Sequence, residues 1–278
     1  MVSQEQRRRQ LAREKFLRQQ QRRIEARRKA RIRNSVIASV LGVVLVAGVV
    51  SYTTGVFESD DQQNASADAS PSASATSKAP DPCAKPAKGS VKKLTWKKEP
   101  AMTIDTSAKY TLKLATTCGG IDVALKASAA PHTVNSFAFL AGKGYFDHTK
   151  CHRLTTNGIY VLQCGDPTGT GTGGPGYTLP DENLKDKSLK GGVYPAGTVA
   201  MANQYNAQTK QGRHTGGSQF FLVYQDSPLP PNYTPFGTVS ASGMKVLKKI
   251  AAAGESTGQG DGAPNATVVI DKATVTKS

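Results

Sequence analysis

The chain has 278 residues and a formal net charge of +16, with 36 Lys and Arg against 20 Asp and Glu. That length allows one or two domains, and four cysteines without a CxxC pair or an HExxH motif argue against a zinc centre. The charge is uneven: residues 1–33 hold thirteen Lys and Arg against Glu5, Glu14 and Glu25, so the pI says little about what the rest of the chain binds.

Residues 1–33 contain good helix formers and only scattered apolar side chains (Leu11, Phe16, Leu17, Ile24, Ile32), too few to bury a core. They read as a basic cytoplasmic tail suited to anionic lipid; nucleic acid is not expected as its main partner. Residues 34–57 carry no charged side chain, and Val36 to Val50 is almost wholly apolar. At ~1.5 Å per residue, about 22 helical residues reach ~33 Å, enough for a ~30 Å hydrocarbon core. Basic residues before the run and Glu58, Asp60 and Asp61 after it predict a single transmembrane helix, N-terminus cytoplasmic and the remainder extracellular. A cleaved signal peptide is the rival, but no clear A-x-A site ends the run. Residues 58–104, rich in Ser, Ala, Asp, Pro and Lys, read as a disordered linker.

From residue 105 to 278 the pattern is that of a folded domain. Residues 110–116 and 121–125 alternate around Cys118-Gly119-Gly120, a hairpin signal. Pro131 opens an amphipathic helix that ends near Gly142 and Gly144. Short strands follow near 151–155, 159–164, 197–202, 219–224 and 235–239, then a helix from Ser242 to Ala253 and a last strand through 267–275. Eight strands and two helices predict a mainly β domain: an eight-stranded closed antiparallel β-barrel capped by two α-helices. If the domain is exported, one or two disulfides form; four cysteines allow three full pairings, with at least one bridge expected among Cys118, Cys151 and Cys164.

The stretch from Cys151 to Phe221 holds one arginine in its strands, glutamines and apolar rings, without a nucleophile–base pair. That combination suits a reaction driven by binding and electrostatics. His152-Arg153, Gln163-x-Gly165-Asp166, Gly171-Thr172-Gly173-Gly174, Asp181-Glu182-Asn183, Met201-Ala202-Asn203, Gly217-Ser218-Gln219-Phe220-Phe221 and Phe236-Gly237, in that order, resemble the cyclophilin family of peptidyl-prolyl isomerases over roughly 105–278. The basic tail, anchor and linker make the chain similar to exported actinobacterial-type members.

The resemblance implies rotation of X-Pro bonds in exported proline-containing polypeptides, with no cofactor and no metal. It places the catalytic arginine at Arg153, with Gln163 orienting it or holding the substrate carbonyl, and the Asn203 backbone binding the residue before proline. Tyr160, Val161, Phe221 and Leu229 would form the proline slot, with Ala202, Gln219 and Tyr233 completing the substrate surface. The chemistry agrees: a permanently charged fork of donors is favoured against a prolyl nitrogen that gains a lone pair only when the amide is half rotated. His152, alternating with Arg153, is read as a core histidine. A peptide-binding or chaperone module with weak or no isomerase activity is the alternative, separable by a kinetic assay.

Several positions depart from the family pattern. Tyr160 and Val161 stand where Phe and Met are usual, Pro228 where many members carry Trp, and Tyr233 where many carry His. The segment between Asn203 and Gly217 is also longer. These changes imply an altered pocket rim and weak cyclosporin binding. Gly169 to Gly174 matches GxGxxG, but Pro175-Gly176 follows where a helix is required, so a dinucleotide site is rejected.

Overall fold

The computed structural model describes residues 80–278; the basic tail, the 34–57 run and the first part of the expected linker lie outside the described residues. Alternation of apolar and polar side chains builds the first hairpin, β1 (Tyr110–Thr116) and β2 (Gly119–Leu125), with Leu112, Leu114, Ile121 and Val123 buried. Helix α1 (Pro131–Gly142) follows, with proline in its first turn. Ala130 gives it no side-chain cap; the Glu182 carboxylate instead accepts from the His132 and Thr133 amides and from Thr133 Oγ1. Then come β3 (Thr149–Lys150), β4 (Arg153–Thr155), β5 (Val161–Cys164), β6 (Val193–Tyr194), β7 (Thr198–Met201), β8 (Phe220–Val223), β9 (Ser227–Pro228) and β10 (Pro235–Val239). Helix α2 (Ala241–Ala252), capped by Ser240 Oγ accepting from Gly243 N, precedes β11 (Asp261–Gly262) and β12 (Val269–Lys277).

The expected closed eight-stranded barrel is not what the chain forms. Ten strands make one curled, open antiparallel sheet in the order β11-β4-β5-β8-β7-β10-β2-β1-β12-β3, and β6 pairs with β9 separately. Eight of the strands match the segments legible in the sequence; β3, β6, β9 and β11 have two residues each, too short for an alternation signal. They also explain the open form. β4 takes its outer neighbour from Asp261–Gly262 and β12 takes its own from Thr149–Lys150. Each edge is covered by a two-residue strand, so the two edges do not join each other. No helix among the described residues is long and apolar enough to cross a membrane.

The alternation of side chains divides the sheet into two faces. Leu154, Leu162, Cys164, Val199, Met201, Phe220 and Leu222 face the main core, where Phe137 of α1 meets Phe146, Phe220 and Phe236 at ring-centroid distances of 5.2, 5.4 and 4.6 Å. Val161, Ala200, Phe221 and Val223 face the other way and form a second apolar cluster with Tyr194. That second face carries the candidate site.

Residues 80–104, within the stretch read as linker, run along this domain. Cys83 is disulfide-bonded to Cys118, and Ala84 N donates to Thr117 O. Trp96 packs edge-on against Phe139 at 5.1 Å and its amide donates to Pro175 O. Asn135 Oδ1 accepts from Thr103 N, and its Nδ2 donates to Ala101 O. The strap also passes close to Gly176: a Cβ there would lie 2.7 Å from Trp96 O. Closing a loop of 35 residues restricts the unfolded chain by about 3–4 kcal/mol in the chain-entropy model. A fragment beginning at residue 105 should therefore unfold at distinctly lower urea concentration than one beginning at residue 80, with both kept oxidised. Equal midpoints would show that the strap adds nothing.

Candidate active site

Four strands bring the site together in one cross-strand row. Arg153 on β4 lies opposite Gln163 on β5, Gln163 opposite Phe221 on β8, and Phe221 opposite Ala200 on β7. Because side chains alternate with a period of two, Arg153, Val161, Gln163, Gln219 and Phe221 share one face. A disulfide joins Cys151 to Cys164 beside this row, and His152 N donates to Gln163 O.

A cleft of about 160 Å³ is lined by Arg153, Ile159, Val161, Gln163, Ala202, Asn203, Phe221, Leu229 and Tyr233. Its floor is apolar: Phe221 is 5 % exposed and stands edge-on to Tyr233 at 5.4 Å. Tyr194 supports it from below, its hydroxyl donating to Tyr233 O and accepting from Tyr233 N. Burial pushes that phenol up to about 12, so it stays neutral.

One wall is polar and ordered. Arg153 can only donate, so Gln163 must present Oε1 to Arg153 Nη1, at 3.2 Å. The Gln163 amide nitrogen then donates to Gln219 Oε1 at 3.0 Å, and Gln219 Nε2 donates to Gly173 O at 2.9 Å. At the other end Arg153 Nε and Nη2 meet the two carboxylate oxygens of Asp261 at 2.8 and 2.9 Å. Hydrogen bonding to Asp261 raises the guanidinium pKa above its ordinary value, with burial opposing.

A second cavity, about 410 Å³, adjoins the first across Gln163, Ala202 and Asn203. Its far wall is the glycine segment Gly171–Gly176. That segment wraps Asp166, which is fully buried: Asp166 accepts from the amides of Thr168, Thr170 and Gly171 and from Thr168 Oγ1. A Cβ at Gly173 would lie 2.0 Å from Asp166 Oδ1, so only glycine fits. The amides that GxGxxG would offer a phosphate are directed at a carboxylate of the same chain.

Eight of the ten residues expected at the site line the smaller cleft: Arg153, Val161, Gln163, Ala202, Asn203, Phe221, Leu229 and Tyr233 are in its wall with the unanticipated Ile159, whereas Tyr160 and Gln219 are not.

 Among the eight, the Asn203 side chain is engaged elsewhere, donating to Asn232 O at 2.8 Å and accepting from Tyr205 N. That leaves the Asn203 backbone as the part available to a ligand. Tyr160 packs instead against Tyr224 and the main core, with ring centroids 5.9 Å apart. Ile159 takes the position that Tyr160 was expected to hold, and the signal was present: 159, 161 and 163 share one parity, and 160 does not. Gln219 lines the larger cavity and reaches the cleft through Gln163. His152 lies outside both linings, with its two ring nitrogens buried and unpartnered. Burial lowers its pKa, Asp166 opposing and Arg153 adding to the shift. Asp261 was not singled out, because it sits in a Gly-rich stretch with no strand periodicity.

The longer segment after Asn203 folds back on the rim. The Arg213 guanidinium lies 3.7 Å from the Tyr205 ring centroid and donates to Asn232 Oδ1 at 2.7 Å. Pro228 is exposed on β9, opposite Val193 of β6.

A family model described as cyclophilin type peptidyl-prolyl cis-trans isomerase/CLD matches residues 111–275. A probable peptidyl-prolyl cis-trans isomerase B of Mycobacterium leprae is 49 % identical over 172 residues, covering 59 % of this chain and 56 % of that protein. Its counterpart in Mycobacterium tuberculosis is 47 % identical over 171 residues, covering 59 % and 53 %. The chain thus spans about half the length of the curated relatives it matches. A solved cyclophilin type isomerase from Cryptosporidium parvum is 25 % identical with a TM-score of 0.49, covering 61 % of this chain and 99 % of that one.

Asp166 generates a prediction about acid. Burial pushes its carboxyl up, but the hydrogen bonds from Thr168, Gly173 and Gly171 outweigh that and hold it at about 2. Its folded pKa is therefore below the unfolded value of about 4, so its stabilisation is complete above that pH and is lost as pH falls toward about 2. Asp166→Asn should lower the urea midpoint near neutrality, and its deficit against wild type should shrink between about pH 4 and pH 2. A deficit constant over that range would show that the loop does not select the ionised form.

Proposed function

This chain belongs to the cyclophilin-type peptidyl-prolyl cis-trans isomerases, and from that membership we propose that it accelerates rotation about X-Pro bonds in proline-containing polypeptides. The amide resists rotation because resonance gives the C–N bond double-bond character, a barrier of ~18–20 kcal/mol. At the half-rotated point that resonance is lost and the prolyl nitrogen carries a lone pair. A donor facing the nitrogen stabilises that state more than either planar isomer.

The observation that carries this reading is Arg153 in the wall of a cleft floored by Phe221 and Val161. The apolar floor suits a pyrrolidine ring, and the guanidinium stands where a charge-bearing donor is useful. Gln163 has its carbonyl oxygen on Arg153, which supports the orienting role over direct binding of the substrate carbonyl. The Asn203 backbone is the candidate contact for the residue before proline, with Ala202, Ile159, Leu229 and Tyr233 closing the slot. The larger cavity, bounded by Gln219 and the glycine segment, is the candidate path for the peptide on that side.

Location is part of the proposal. All four cysteines are paired, which suits an oxidising compartment. The uncharged run 34–57 behind a basic tail supports a single membrane span with the domain outside, the tail being available to anionic lipid. We place the start of the domain near residue 80, since the Cys83–Cys118 bridge ties the strap to it. Protease added to intact cells would leave the domain untouched if this topology were wrong.

In a cis-to-trans prolyl-peptide assay on the full-length chain, Arg153→Ala should lower kcat/KM by ~10²–10³-fold, or ~2.7–4 kcal/mol, with its fold retained. Arg153→Lys should recover part of the rate, keeping the charge but losing the fork. Turnover in Arg153→Ala close to that of wild type would remove the arginine from the mechanism. Peptide binding without turnover in the wild-type chain would favour a binding module instead.

A further inference from the structure

We propose that Asp261 is a positioning residue for Arg153, gripping one edge of the guanidinium so that its remaining donors face the cleft. The proposal rests on the isomerase reading above. Arginine has five N–H donors in a planar fork. Asp261 takes the Nε–H and one Nη2–H, and Gln163 takes one Nη1–H. Two donors remain, one on each terminal nitrogen. Held from the side by a carboxylate and from Nη1 by an amide oxygen, the fork has little freedom to rotate or to swing out of the cleft. Bidentate carboxylate pairs fix orientation as well as distance.

The backbone makes this grip possible. β11 pairs with β4 so that Asp261 lies opposite Thr155 and Gly262 opposite Leu154. Arg153 and Thr155 are two residues apart on the same face of β4, which makes Asp261 a diagonal neighbour of Arg153, within reach of a long side chain. The loop before β11 is itself tied down. Glu255 accepts from Thr257 N, Thr257 Oγ1 and Gly260 N, at both ends of the turn that leads into β11. A carboxylate 108 residues away in sequence is thereby fixed against the arginine.

The ion pair is not explained by stability. The side chains are 39 % and 57 % exposed, and exposed pairs of this kind contribute little to folding. A carboxylate also offsets part of the charge on which the proposed chemistry relies. Its value to the site must therefore lie in orientation, and the competing outcome, a carboxylate that merely damps Arg153, has the opposite sign.

The test uses the full-length chain. Asp261→Ala should lower kcat about 5- to 20-fold, less than loss of the donor itself, with KM and the thermal midpoint nearly unchanged. Asp261→Asn, which keeps one acceptor oxygen, should recover part of that loss. In an Arg153→Ala background, Asp261→Ala should cost nothing further, since the carboxylate acts only through the arginine. The Arg153 Nε–H resonance should move and exchange faster with water in Asp261→Ala. Wild-type or higher kcat in Asp261→Ala, or an equal loss in both backgrounds, would overturn the proposal while leaving the isomerase reading intact. An inactive wild-type chain would overturn both.

Discussion

The site exists only while four strands keep one register. Arg153, Gln163, Phe221 and Ala200 stand in a single row across β4, β5, β8 and β7. A slip of one residue anywhere in that row would turn the arginine or the phenylalanine into the main core and a leucine out into the cleft. The main core resists such a slip, because Leu154, Leu162, Phe220 and Leu222 are all buried on the opposite face. Packing on one side of the sheet thus sets the chemistry on the other. The Cys151–Cys164 bridge adds a covalent tie at the end of the β4–β5 pair, next to the Arg153–Gln163 step.

Register places the side chains, and polarity then orients them. Arginine has no acceptor, so the direction of every hydrogen bond from Arg153 through Gln163 and Gln219 to Gly173 O follows from its position at one end. The same line links the arginine to the glycine segment, which is folded around the buried Asp166 carboxylate. The glycines serve that internal anion and the open wall of the larger cavity together.

Much of this was legible in the sequence where the signal was periodic. The β1–β2 hairpin, both helices and the main strands stand out as alternation or as amphipathic runs. What was not legible has physical causes. Two-residue strands such as β11 and β3 carry no alternation, yet they cover the two edges and leave the sheet open. The choice of Tyr160 over Ile159 followed the family pattern where the parity of the strand pointed elsewhere. Asp261 joins the site through a pairing between distant segments, and the strap at 80–104 is polar in composition but held by a disulfide and Trp96. Composition reports neither kind of long-range tie.

The central claim is that a proline ring sits on Phe221 and Val161 with its nitrogen facing Arg153. A crystal structure of the chain with an Ala-Pro peptide tests it most directly. The account predicts the pyrrolidine ring in van der Waals contact with Phe221, an Arg153 terminal nitrogen turned toward the prolyl nitrogen, and the residue before proline hydrogen-bonded to the Asn203 backbone. A peptide seated only in the larger cavity, with its proline remote from Arg153, would contradict it.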